Sequence, residues 1–276
     1  MSRLSREQMN AVIAALVEGA SVRSVERLTG VHRDTILRLL VRVGTACEAL
    51  MDAAMRDLPC GKLQLDEIWC YVTKKQRHLR IGDDPAACGD FWTFVAIDAD
   101  TKLVPCFRVG KRDAATTRAF VADLADRLAR RVQISTDGFQ PYVEAIEAAF
   151  GGDVDVGQVV KSYVAEPIGP GRYSPPRVKS VETAVVAGEP DPKFISTSYV
   201  ERGNLTMRMH MRRFTRLTLG FSKKPENLRA AVALHFAWYN FVRPHAAKNL
   251  RKVTPAMAAG VTNRFWTVSD LVGLIA

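Results

Sequence analysis

Leu63-Gln64-Leu65-Asp66-Glu67-Ile68-Trp69-Cys70-Tyr71-Val72 settles the architecture of this 276-residue chain. Leu65, Ile68, Trp69 and Val72 make it a β-strand, set off from what precedes it by Asp57, Pro59 and Gly61. Asp66 sits in mid-strand, where an unpaired carboxylate is costly to bury. Working outward toward the C-terminus, a polar loop with Lys74, Lys75, Arg77 and Gly82 leads to a hairpin. Its arms are Phe91 to Ile97 and Leu103 to Val109, around the turn residues Asp98 and Asp100. A helix from about Ala114 to Arg130, a short strand from Val132 to Thr136, a helix from Pro141 to Phe150 and a strand from Val156 to Tyr163 follow. Three strands, then helix, strand, helix, strand and a further helix predict an α/β fold: a mixed five-stranded sheet flanked by helices on both faces.

That order is the element order of the RNase H-like fold. Residues 165–193 interrupt it with six prolines among several glycines and read as an insertion, with room for a strand at Val181 to Val186. Helix resumes from about Thr197 to Leu217, and Pro225 opens a last long helix to about Phe241.

Working outward in the other direction, residues 5–44 read as three helices. Ser5 caps the first, and Met9, Val12, Ile13 and Leu16 share its apolar face. A short second helix runs from about Ser21 to Thr29, Gly30 supplies a tight turn, and a third runs from about Arg33 to Val43. Val25, Leu28, Val31, Ile36 and Leu39 fall where a helix-turn-helix needs packing between its helices. The third helix then offers Arg33, Thr35 and Arg38 from the half that enters a major groove. A plain three-helix bundle used for dimerisation fits the same pattern. The expected division is residues 1–60 as a helix-turn-helix domain and 61–276 as a catalytic domain with a basic helical C-terminal part.

Charge is unevenly placed. The chain is formally +10, with a pI near 9.6. Between Tyr199 and Lys252 twelve Lys and Arg face only Glu201 and Glu226, so this segment alone carries the whole excess. A local cation field of that size suits a polyanion, nucleic acid before membrane. The five cysteines show no zinc-ligand spacing or disulfide framework, so free thiols in a reducing cytoplasm are expected. No apolar run is long enough for a membrane span.

Three acids stand out by context. Asp66 is in mid-strand, Asp137 follows a strand in Ser135-Thr136-Asp137-Gly138, and Glu201 lies near the start of the basic helix. Singly each has an ordinary reading: an edge residue, a turn, and a dipole-complementing helix start. With the first and fourth strands adjacent, they converge into an oxygen-rich site suited to Mg²⁺, with Mn²⁺ as a substitute. Two such ions, roughly 3.5–4 Å apart, support in-line displacement at phosphorus. Asn204, Arg208 and Arg212 share the helical face of Glu201 and would lie along a DNA strand, with Arg213, Lys223 and Lys224 beside them. Met207, Met211 and Phe214 belong to the core.

The stretch Tyr199-Val-Glu-Arg-Gly-Asn-Leu-Thr-Met-Arg-Met-His-Met-Arg-Arg-Phe-Thr-Arg-Leu-Thr, followed by Phe221-Ser-Lys-Lys, resembles transposases of the insertion sequence one family. Leu65-Asp-Glu-Ile-Trp and Ser135-Thr-Asp-Gly-Phe share the resemblance. Tyr239-Asn-Phe-Val-Arg-Pro-His and Thr254-Pro-Ala-Met look like the C-terminal signature of retroviral-integrase-like transposases. The resemblance covers roughly residues 60–262. It implies an RNase H-like core, a catalytic and metal-binding triad at Asp66, Asp137 and Glu201, and a basic residue two turns on at Arg208. It also implies divalent-metal-dependent cutting and joining of double-stranded DNA at the element's terminal repeats, by at least a dimer. Two departures stand out: Gly203 replaces a polar residue before Asn204, and the family's N-terminal zinc-binding segment is missing. A decayed or repurposed transposase acting as a DNA-binding regulator is the alternative, and another RNase H-like nuclease a further one.

Overall fold

The computed structural model describes residues 4–164, 177–215, 218–247 and 250–275. Its first helix, α1 (Arg6–Val17), starts on a reciprocal cap: the Ser5 hydroxyl accepts from the Gln8 amide at 3.1 Å, and the Gln8 side chain accepts from the Ser5 amide at 3.0 Å. The second, α2 (Val22–Thr29), ends on Gly30, whose φ of 69° lies in the left-handed region. The third, α3 (Arg33–Ala54), is 22 residues long and passes well beyond Val43, because Cys47 and Met51 extend its buried stripe at helical spacing. Val25, Val31, Ile36 and Leu39 are buried as expected. Leu28 is not: the last turn of α2 carries it clear of α3, and it is 74% exposed.

The sheet begins with β1 (Lys62–Val72), β2 (Gly89–Asp98) and β3 (Phe107–Gly110), an antiparallel meander. Helix α4 (Ala114–Ala125) leads to β4 (Val132–Thr136), parallel to β1. Helix α5 (Pro141–Phe150) leads to β5 (Val154–Val164), parallel to β4, and β6 (Arg177–Ala187) returns antiparallel to β5. The order β3-β2-β1-β4-β5-β6 makes six strands, not the expected five. The extra one is the strand anticipated inside the insertion, and it pairs along the whole of β5 from Val156↔Ala187 to Val164↔Arg177. Residues 165–176 of that insertion lie outside the described residues.

β3 starts four residues later than its sequence suggests, and the reason is local. The Val104 amide donates to the Asn240 Oδ1 at 3.0 Å, and the Asn240 side-chain amide donates to the Val104 carbonyl at 2.9 Å. With its backbone claimed by a side chain, Val104 makes no ladder bonds.

Helix α6 (Ser198–His210) stops short of the expected Leu217, which places Arg212 in a turn beyond it. Helix α7 (Pro225–Ala237) passes into one π-turn, Trp238–Val242. A small hairpin, β7 (His245–Ala247) and β8 (Leu250–Val253), and two short helices, α8 (Pro255–Ala258) and α9 (Val268–Gly273), complete the chain. Among the described residues, no helix is long and apolar enough to cross a membrane.

Helices α4 and α5 cover one face of the sheet, where the Phe94 ring meets Phe120 and Tyr142 with centroids 5.7 and 6.3 Å apart. Helix α6 lies on the other face, with Val200 and Met207 buried. Helix α3 packs along α7 so closely that a Cβ on Gly44 would fall 2.2 Å from the Ala230 carbonyl oxygen. One hydrophobic cluster consequently runs from Val12 and Ile13, through Leu40 and Val232, to Leu65 and Phe94.

Candidate active site

Strand register brings the first two acids together. Gln64 of β1 stands opposite Ser135 of β4 in parallel pairing. Two residues further along each strand direction are Asp66 and Asp137, on the same side by the period of two. Asp137 lies one residue past the end of β4, and its carboxylate accepts from the Phe139 amide at 3.0 Å.

The third acid is placed from β1 itself. Thr197, at the start of α6, makes no side-chain cap. The buried Gln64 side chain does that work instead, accepting from the Tyr199 and Val200 amides at 2.7 and 3.2 Å. Glu201 follows one residue later. Asn204, one turn along, donates to Asp66 Oδ2 at 2.7 Å, while its own buried Oδ1 has no partner among the described residues.

Electrostatics separate the neighbouring acids of β1. Glu67 faces α4 and α5, where it accepts from Arg112 Nε at 2.5 Å and from the Tyr142 hydroxyl at 3.1 Å. Asp66 faces α6, where it accepts from the Asn204 amide. Burial, followed by the charges of Glu67, Asp137 and Glu201, pushes its carboxyl up to about 7. Glu201 accepts from Thr197 Oγ1 at 2.6 Å and is ion-paired with Lys161 of β5.

Asp66 and Asp137 are thus adjacent, while the Glu201 carboxylate is turned toward Lys161. Among the described residues, no group of three or more His, Cys, Asp or Glu stands close enough to hold a metal ion as arranged. The donor chemistry nevertheless fits a hard divalent cation. All the donors are carboxylate or amide oxygens, Asp66 is crowded by like charge, and the Asn204 oxygen has no protein donor.

The remaining candidates are scattered. Arg33 and Arg38 are exposed at the start of α3, the opposite end of that helix from the chain's entry into β1, and Arg38 donates to Thr35 Oγ1 at 3.3 Å. The Arg33 amide is held by Glu26 at 2.8 Å. Arg208 is half-buried two turns beyond Glu201, and Arg212 is exposed. Arg213 turns inward, its Nε donating to Ser222 Oγ at 2.8 Å, and burial lowers it to about 10. Lys223 and Lys224 are exposed beside the end of β1, where the Lys223 carbonyl accepts from Thr73 Oγ1 at 2.9 Å. The basic residue Arg216 lies outside the described residues.

Sequence reasoning missed Gln64 and Lys161. Gln64 did leave a signal, a polar residue on the strand face that carries Asp66 and Ile68. A lysine in a strand ordinarily reads as solvated, so Lys161 left none.

No family model matches the chain, and no curated protein is significantly similar to it. Among solved structures, it is similar to a piggyBac transposase synaptic complex with hairpin DNA, at 10% identity over 98% of this chain and 70% of that one, with a TM-score of 0.42. It is also similar to a Mos1 transposase paired-end complex with the left transposon end, at 13% identity over 56% of this chain and 59% of that one, with a TM-score of 0.24. A pre-cleavage Mos1 transpososome shares 11% identity over 86% of this chain and 78% of that one, with a TM-score of 0.27. The chain therefore spans less than two thirds of the Mos1 transposase in the paired-end complex. At TM-scores below 0.5, these likenesses fix neither fold nor activity.

Proposed function

We propose that this chain is a DDE transposase of the insertion sequence one kind, cleaving DNA at the terminal repeats of its element and transferring the strand. The observation that carries the reading is the meeting of Asp66 and Asp137 in parallel register, with Gln64 docking α6 so that Asn204 reaches Asp66. A three-strand meander continued by two parallel strands is the topology that an RNase H-like core requires.

Asp66, Asp137 and Glu201 would hold Mg²⁺, as two ions, with Mn²⁺ able to substitute. When bound, the ions support the attacking and leaving oxygens of a displacement at phosphorus. The protein's own part is positional. Asn204 fixes one oxygen of Asp66, Gln64 fixes the start of α6, and Arg208, Arg212, Lys223 and Lys224 supply cations for DNA phosphates. Arg213, turned inward on Ser222, instead braces the segment leading to Lys223. Residues 1–60 would read the element's ends in helix-turn-helix fashion through Arg33, Thr35 and Arg38. Joining two ends calls for at least two copies of the chain.

A DNA-binding regulator is the second reading, favoured by Gly203 and by the ion pair that engages Glu201 with Lys161. One experiment separates the two: purified protein with DNA carrying the element's ends, in Mg²⁺ or chelator, beside Asp137→Asn. Metal-dependent cleavage or joining is expected, falling to background in the variant while binding persists. Tight binding without cleavage by the native chain would leave only the regulator.

A further inference from the structure

Of the three acids, Glu201 is held in an ion pair, and its partner is Lys161. The lysine sits on β5, the strand beyond β4, and reaches across to a helix that starts thirty-seven residues later. Thr197, one turn before Glu201, secures the same carboxylate oxygen at 2.6 Å. Both grips act on Oε1.

We propose that Lys161 is a displaceable counter-ion for the metal site: its ammonium neutralises Glu201 while no metal is bound, and a divalent cation takes Glu201 only by exchanging with it. This rests on the metal-site reading above. Three observations converge on it. Glu67, the other acid beside Asp66, has its own cation in Arg112, so Lys161 is not needed there. Asp66 and Asp137 lie two residues beyond the paired Gln64 and Ser135, and α6 brings Glu201 within electrostatic reach of Asp66. No triad stands ready-made, although all three acids sit within each other's electrostatic reach at Asp66. Lys161 is thus a positioning residue, acting through Glu201.

The pair is partly open, with side chains 26% and 45% exposed, so its worth is that of a screened surface bridge rather than a buried one. Removing Lys161 should therefore tighten metal binding about two- to fivefold.

The test is Mn²⁺ binding to the full chain, by isothermal titration and by electron paramagnetic resonance of the free ion, with no DNA and no turnover. Lys161→Met is expected to bind Mn²⁺ more tightly than the native chain, and Lys161→Arg to return close to the native affinity. Thr197→Val, which leaves Lys161 in place, should tighten binding by a smaller factor and serves if Lys161→Met does not fold. A merely structural lysine would give unchanged or weaker binding on removal, and that result overturns the proposal. If the native chain binds Mn²⁺ and Asp137→Asn does not, the metal-site reading stands whatever Lys161 does. If no form binds Mn²⁺, both readings fall together.

Discussion

The two faces of β1 treat neighbouring acids in opposite ways. On the side of α4 and α5, Glu67 is buried but fully engaged, with the guanidinium of Arg112 and the hydroxyl of Tyr142 on its two oxygens. On the side of α6, Asp66 receives one side-chain amide and is surrounded by other carboxylates. A buried acid with its cation beside it is part of the scaffold. A half-buried acid set among like charges is the stronger candidate for functional chemistry.

The strongest way to break this contrast is to unsettle the settled side. Arg112→Met strands Glu67, whose side chain is 2% exposed, and should destabilise the protein by about 2–4 kcal/mol in urea denaturation. The lower part of that range applies because Arg112 itself is more than a third exposed. A loss under 1 kcal/mol would mean that Glu67 is as unsettled as Asp66.

Neutralising the unsettled side should do the reverse. The folded Asp66 carboxyl is raised from an ordinary 3.8 to about 7, so between those values it keeps a proton that the unfolded chain has released. Its contribution is intact below about pH 4 and is lost as pH rises toward 7. In chelator, Asp66→Asn should therefore match the native chain near pH 3.5 and exceed it at pH 7.5 by about 1–3 kcal/mol, below the full value of roughly 1.4 kcal/mol per unit because the group is only half-buried and partly screened. Urea melts at the two pH values check this, and an equal difference at both would refute the assignment.

The smallest effect sharpens the comparison on the α6 side. A Cβ at Gly203 meets only Ile97 Cδ1, at 4.0 Å, so Gly203→Ala should stabilise α6 by about 0.5–1 kcal/mol. If the same variant also raises cleavage, the helix start near Asp66 was under-ordered by the glycine. If cleavage is unchanged, the departure at this position is harmless.

Much of this was legible in the sequence. The strand that carries Asp66 and the one that ends just before Asp137 announce themselves by composition, and parallel pairing follows from the two antiparallel strands and the crossover helix between them. Met207, Met211 and Phe214 were readable as core and are buried. What could not be read depends on distant partners. Asn240 shortens β3 from 136 residues away, and β5 recruits the insertion strand that a five-strand count leaves out. Arg213 turns inward because Ser222 waits for it, although its charge suggested a phosphate. Helix α3 exceeds its expected length because Cys47 and Met51 in its second half are buried by the rest of the fold, a fact of tertiary packing rather than of local propensity.

The contact between Gly44 and Ala230 has a mechanical meaning. Helix α3 is about 33 Å long at 1.5 Å per residue, and it crosses α7 backbone to backbone, with no layer of side chains between them to shear. A force applied at Arg33 therefore meets a stiff lever whose fulcrum is a glycine, and whose far end feeds the first strand of the sheet. Adding a single methyl group at that fulcrum would collide with the α7 backbone and wedge the two helices apart.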